Sequence, residues 1–276
     1  MISCKALEVS NDPKARMGAF GDADYNMLWT CRADPRFQYW IRVPQSYMTD
    51  ENRKDYKLIV VIHGTGCEVD RYLLAAVPRL EELHAIVLAP VFPSGLFYKN
   101  DFNSYKLLAC DGLRYDEILL QMIEEIKDRY DGISTEKFCI CGHSGGGQFT
   151  NRFLLVHPDR LLAASISAPG RPTFIDDTQD YFWGTRNIKE HFGHDVDVEA
   201  LKKVHIQMVV GSEDTKYIGE SPYGSTRIER LNSLKKNFEK YGLNVEMNVL
   251  DGVDHCAASG DGKRMNAFMD FFQKSF

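Results

Sequence analysis

The chain has 276 residues, of which 44% are hydrophobic, 12% aromatic and 26% charged, with 21 Gly and 10 Pro. These proportions fit an ordinary globular protein and exclude disordered, collagen-like and low-complexity classes. With 33 Lys and Arg against 39 Asp and Glu, the net charge is −6. That balance argues against a nucleic-acid partner, which needs a basic domain or stripe.

Seven cysteines, an odd number at irregular spacing, do not make the framework of a small disulfide-stapled scaffold. The opening residues Met1 to Glu8 lack the apolar core of a signal peptide. The longest apolar runs, such as Leu58 to Ile62, fall far short of the ~20 residues that span a bilayer. The expectation is a cytoplasmic protein with a small-molecule substrate and no membrane partner.

In chain order, residues 1–50 read as β-rich, with Phe37 to Pro44 the best strand, and are expected to supply antiparallel edge strands. From about residue 57, short apolar runs alternate with helix-period segments. The runs are Leu58 to Ile62, Ala85 to Ala89, Phe138 to Cys141, Ala163 to Ser167, Ile206 to Val210 and Val245 to Leu250. Between them, Ile118, Leu119, Met122, Ile123, Ile126 and Tyr130 follow a helical repeat, as do Ile228, Leu231, Leu234, Phe238 and Tyr241. Met265, Phe268, Met269 and Phe272 repeat likewise near the C-terminus. Such alternation predicts an α/β fold, with right-handed βαβ units and one doubly wound, mostly parallel sheet. Residues 171–203 break the pattern and read as an insertion, expected to be a short lid. No repeat or linker divides the chain, so residues 1–276 are expected to form one domain.

The strongest local signal is Gly142-His143-Ser144-Gly145-Gly146, a match to G-x-S-x-G between the strand Phe138 to Cys141 and a helical segment. In that strand–turn–helix setting Ser144 is the expected nucleophile, lifted above the sheet by a strained turn. A serine hydroxyl needs a base. His255, in the loop after the last strand, is the choice among eight histidines, because the order nucleophile, acid, histidine selects it. His143 is expected to point away from the serine beside it. The acid that orients the base is expected to be Asp214, after the strand Ile206 to Val210, with Glu213 and Asp254 as competitors. The oxyanion needs two backbone N–H donors, and Gly145 and Thr65 of the loop His63-Gly64-Thr65-Gly66 are the expected pair.

Through these residues, over roughly 37–276, the chain resembles the α/β-hydrolase superfamily. The segment after the elbow looks most like the esterase and polyhydroxyalkanoate-depolymerase-like branch, with dienelactone-hydrolase-like enzymes next. The resemblance implies a carboxylic-ester hydrolase that works through a Ser-Asp-His triad without metal or organic cofactor. Thioesterase, peptidase, acyltransferase and C–C-cleaving activities share the fold and triad, and a non-catalytic ligand-binding role is a further alternative.

Other patterns have plainer readings. In Cys139-Ile140-Cys141-Gly142-His143, alternation puts both cysteines on one face of a strand, which suits core packing rather than a metal cluster. Gly260-Asp261-Gly262-Lys263 lacks the rest of a P-loop, so no nucleotide cofactor is indicated. Phe174, Tyr181, Phe182 and Trp183 in the insertion are either a small satellite core or the wall of a substrate pocket. The second reading predicts a small, compact apolar or aromatic ester or lactone as substrate.

Overall fold

The computed structural model describes residues 26–256 and 259–276. Eight strands make one sheet: β1 (Leu28–Thr30), β2 (Gln38–Arg42), β3 (Tyr56–Ile62), β4 (Ala85–Val91), β5 (Ile133–His143), β6 (Leu161–Ser167), β7 (His205–Gly211) and β8 (Val245–Leu250). Their spatial order is β1-β2-β4-β3-β5-β6-β7-β8. The pairs β1/β2 and β2/β4 are antiparallel, and every other pairing in the sheet is parallel. The predicted antiparallel edge feeding a parallel series is therefore present. The part of the β-rich expectation that falls on residues 1–25 lies outside the described residues.

Alternation along the parallel strands sorts the core into two layers. Leu58, Val60 and Ile62 of β3, Phe138 and Ile140 of β5, and Ile206, Met208 and Val210 of β7 face one way. There they meet Leu119, Met122, Ile123 and Ile126 of α2 (Tyr115–Arg129), Phe149 and Phe153 of α3 (Gly145–Val156), and Leu231, Leu234 and Phe238 of α4 (Arg227–Lys240). Ile59, Val61, Cys139, Cys141 and Val209 face the other way. Their partners are Val69, Tyr72 and Leu73 of α1 (Val69–Ala76), and Met265, Phe268, Met269 and Phe272 of α5 (Ser259–Gln273). Each fully buried Leu, Ile, Val, Phe or Met contributes about 1.5–3 kcal/mol. A one-residue slip in register would turn every one of them to the wrong layer, so the pattern pins the sheet.

Two expected boundaries shift for local reasons. The strand predicted over Phe37 to Pro44 shortens to Gln38–Arg42: Phe37 N–H closes a turn onto Asp34 O, and Pro44 precedes the short helix Gln45–Thr49. Residues 171–203 are largely irregular, with short helices at Ile188–Phe192 and Val198–Leu201. Among the described residues, no helix is long and apolar enough to cross a membrane.

Candidate active site

Strand β5 runs straight into the elbow. Ser144 adopts φ 57° and ψ −111°, in the region L-residues avoid, and α3 starts at the next residue. Close backbone approaches impose the glycines. A Cβ on Gly142 would sit 2.5 Å from Gly146 C and O, and one on Gly146 would sit 2.3 Å from Ile62 O. The turn is tied down where Ser144 N–H donates to Ser167 O of the neighbouring strand at 2.9 Å.

His255 arrives from the loop after β8. Its Nε2 lies 2.9 Å from Ser144 Oγ and its Nδ1 lies 2.7 Å from Asp214 Oδ2. Because the carboxylate only accepts, Nδ1 carries the proton and donates to Asp214, leaving Nε2 to accept from the serine hydroxyl. Asp214 is buried just past the end of β7. Burial pushes its carboxyl pKa up. The hydrogen bond and charge of His255, with the Arg227 guanidinium 3.1 Å away, outweigh that, and the net shift is downward. The rival carboxylates lie elsewhere: Glu213 is exposed beside it, and Asp254 is exposed and accepts from Cys256 N–H.

The His63-Gly64-Thr65-Gly66 loop leaves β3 alongside the elbow. A Cβ on Gly145 would lie 3.1 Å from Thr65 N, so the two amide groups are neighbours, as an oxyanion site requires. His63 fixes the loop: Nδ1–H donates to Gly64 O at 2.7 Å and Nε2 accepts from Phe92 N–H at 3.1 Å. Burial lowers the His63 pKa to about 4, so the ring is neutral and can hold this tautomer. Tyr105 donates its hydroxyl to His63 O at 3.2 Å.

No family model matches the chain, and no curated relative matches it. Solved structures do. One is a poly(aspartic acid) hydrolase from Sphingomonas sp. KT-1, 20% identical, with TM-score 0.69 over 90% of this chain and 97% of that one. A poly(3-hydroxybutyrate) depolymerase from Bordetella parapertussis is 18% identical, with TM-score 0.66 over 85% and 84%. A ferulic acid esterase is 16% identical, with TM-score 0.64 over 90% and 96%. The chain has the α/β-hydrolase fold.

In this α/β-hydrolase fold the rings of the insertion divide between the two expected readings: most join the core and one lines a cavity. Phe174 is buried and stacks on Tyr223 at 3.6 Å between ring centroids. Tyr181 donates its hydroxyl to Leu107 O and packs with Trp183 against the core. Neither these two nor Phe174 lines the cavity beside the elbow; Phe182 does. The physical reason is that irregular chain buries large rings wherever a core will accept them, so absence of periodicity does not imply a pocket.

Three contributors escaped sequence reasoning. His143 points away from Ser144 and is buried, bonded to Ser167 Oγ and His255 O, a role its place in the sequence does not announce. Arg227 reaches Asp214 from the start of α4, whose Thr226–Glu229 capping box fixes where that helix begins. Lys106 packs its Cε 2.8 Å from the position of a Cβ on Gly145. No one-dimensional signal marks the last two, because each depends on elements far apart in sequence. Among the described residues, one group could offer metal ligands: Asp116, Glu117 and His157. Both oxygens of Asp116 already accept from Arg114, and His157 bonds one of them, which makes the group an ion-pair cluster.

Proposed function

We propose that the protein is a serine hydrolase that cleaves a carboxylic ester through an acyl-enzyme. The observation that carries this reading is the chain of hydrogen bonds Ser144 Oγ to His255 Nε2 (2.9 Å) and His255 Nδ1 to Asp214 (2.7 Å), mounted on a strained elbow. Ser144 Oγ attacks the ester carbonyl as its proton passes to His255 Nε2. Asp214 holds the imidazole in the accepting tautomer and stabilises the imidazolium. Thr65 N–H and Gly145 N–H bind the oxyanion of the tetrahedral intermediate. Collapse of the intermediate expels the alcohol, which takes the proton from His255. Water, deprotonated by the same imidazole, then attacks the acyl-enzyme, and the acid leaves with Ser144 reprotonated.

Several structures of similar fold bear the names of esterases and hydrolases, which supports this reading. Gly170, Arg171 and Phe182 border the neighbouring cavity and are proposed to form part of its wall. All six described cysteines are free, which supports a reducing, cytoplasmic setting. The test is active-site labelling. A fluorophosphonate probe is expected to modify the wild type once, on the peptide containing Ser144, and to leave Ser144→Ala unlabelled. Ester turnover in Ser144→Ala is expected to fall by about 10⁴ or more. Labelling of both proteins alike would remove Ser144 from the nucleophile's role.

A further inference from the structure

Beside the elbow lies a cavity of about 350 Å³ whose wall is cationic. Lys106, Arg152, Arg171, Arg227 and Arg230 line it, together with Gln148 and Phe182, and no carboxylate is among its lining residues. Arg227 is paired with Asp214. Among the described residues, none of the other four makes an ion pair.

The five cations divide by what they touch. Arg152 is fully buried and spends its donors on Lys106 O, Arg171 O and Thr173 Oγ1. Arg230 likewise donates to Gly224 O, Gly170 O and Gly219 O. These two hold the wall together while adding positive field, which Glu220 and Glu229 offset only in part at Arg230. Lys106 and Arg171 differ. Lys106 makes one bond, from Nζ to Asn103 Oδ1, and Arg171 is exposed at the rim. The cluster works against itself: burial and the nearby Arg152 and Arg171 depress the Lys106 pKa to about 8, against the weaker pull of Asp101. Cations gathered around one cavity without a carboxylate in its lining set up a field that favours an anion.

The cavity adjoins the elbow, although Ser144 and His255 themselves line a separate opening together with Thr65. Lys106 Cε lies 2.8 Å from the position of a Cβ on Gly145, and Gln148 N–H donates to Ser144 O one helical turn on. We propose that the cavity binds a carboxylate carried by the substrate a few atoms from the scissile ester, so that half-esters of short dicarboxylic acids and similar anionic esters are the preferred substrates. Lys106 and Arg171 are the direct ligands, and their two cationic groups suit a monoanionic carboxylate. Arg152 and Arg230 supply the surrounding field. This inference rests on the serine-hydrolase reading. It replaces the apolar or aromatic substrate expected from the ring-rich insertion, whose rings, apart from Phe182, are packed away from the cavity.

The experiment compares methyl pentanoate with monomethyl glutarate, which differ by a carboxylate in place of the terminal methyl, in a pH-stat at pH 7. The wild type is expected to favour the glutarate by about tenfold or more in kcat/KM, the scale of a charge-assisted hydrogen bond. In Arg171→Gln and Lys106→Met that ratio is expected to fall to within about twofold of one, through KM rather than kcat. Arg171→Lys, which keeps the charge, is expected to keep most of the preference. Glutarate itself is expected to bind Ser144→Ala in calorimetry, and to bind more weakly when Arg171→Gln is added. Equal or better turnover of the neutral ester by the wild type overturns the anion site and leaves the hydrolase reading standing. Glutarate binding without turnover of either ester, in a protein that resists the fluorophosphonate, keeps the site and removes the hydrolase reading. Absence of glutarate binding to Ser144→Ala overturns the site directly.

Discussion

His143 donates a hydrogen bond from Nε2 to the backbone carbonyl of His255 at 2.9 Å, with the two imidazole rings 4.6 Å apart. A carbonyl only accepts, so Nε2 carries the proton, and Nδ1 accepts from the Ser167 hydroxyl at 2.9 Å. Burial, then the positive charge of Arg264, push the His143 pKa well below its ordinary value and keep the ring neutral. Arg264 donates to the same His255 carbonyl at 3.2 Å. The loop that delivers the base is therefore pinned from two sides, and His143 is a positioning residue. His143→Ala is expected to lower kcat by about 10- to 100-fold with little change in KM, since small misplacements of a catalytic group act on the chemical step. His143→Gln, which keeps a donor of similar reach, is expected to restore most of it. A purely structural role would move KM and melting temperature together and show no rescue.

Much of this arrangement was legible one residue at a time. Strands β3, β4 and β7 are legible because burial on both faces forces short continuous apolar runs, and Ser144 because a strained turn between strand and helix demands glycine on either side. Asp214 and His255 followed from strand ends, where loops reach the same edge of a parallel sheet. The role of His143 is not legible from adjacency: successive side chains on the elbow point apart, and only the fold brings the His255 loop back over it. The cationic wall was invisible for a different reason. Its members come from positions 106, 152, 171, 227 and 230, and like charges scattered along a sequence look like ordinary solvated surface until the fold gathers them.

The acid of the triad offers a graded test. Asp214→Asn keeps the volume but removes the charge and invites the wrong imidazole tautomer, so kcat is expected to fall by about 10⁴. Arg227→Met leaves Asp214 bonded to His255 while removing the flanking guanidinium, and a loss of about three- to tenfold is expected. Steady-state kinetics on both variants, with circular dichroism to check folding, measures the two steps. If Glu213→Gln lost activity instead, with Asp214→Asn spared, the carboxylate would be misassigned.

The elbow glycines predict a folding phenotype rather than a kinetic one. A Cβ on Gly147 would fall 2.3 Å from Ser167 O, and one on Gly146 at the same distance from Ile62 O. Backbone atoms of two central strands cannot move aside cheaply, so Gly146→Ala and Gly147→Ala are expected to destabilise by about 2 kcal/mol or more, as overpacking in a core does. Gly262→Ala is the internal control, since its Cβ would meet nothing within 4 Å. Chemical denaturation of the three variants checks the ranking. Equal midpoints would mean that the elbow can open.

Acid is expected to destabilise the fold through two buried histidines. His63 and His143 are both buried, and both have pKa values below that of a free imidazole, His63 at about 4. An unfolded imidazole titrates near ~6.5. Between those values the unfolded chain binds protons that the folded chain refuses, so folding stability is full above about pH 6.5 and declines as pH falls toward about 4. For His63 the loss over that window is about 3 kcal/mol, at 1.36 kcal/mol per pKa unit. His143 adds to it in the same direction. Asp214, lowered rather than raised, loses its contribution only below the ordinary carboxylate range and leaves this window untouched. Melting temperatures measured from pH 7.5 to 4 at constant ionic strength are expected to drop most steeply below pH 6.5. His63→Gln can still donate to Gly64 O and accept from Phe92 N–H but cannot titrate, so its profile is expected to be flatter. An unchanged slope in that variant would mean that the oxyanion-loop histidine gains its proton without unfolding the chain.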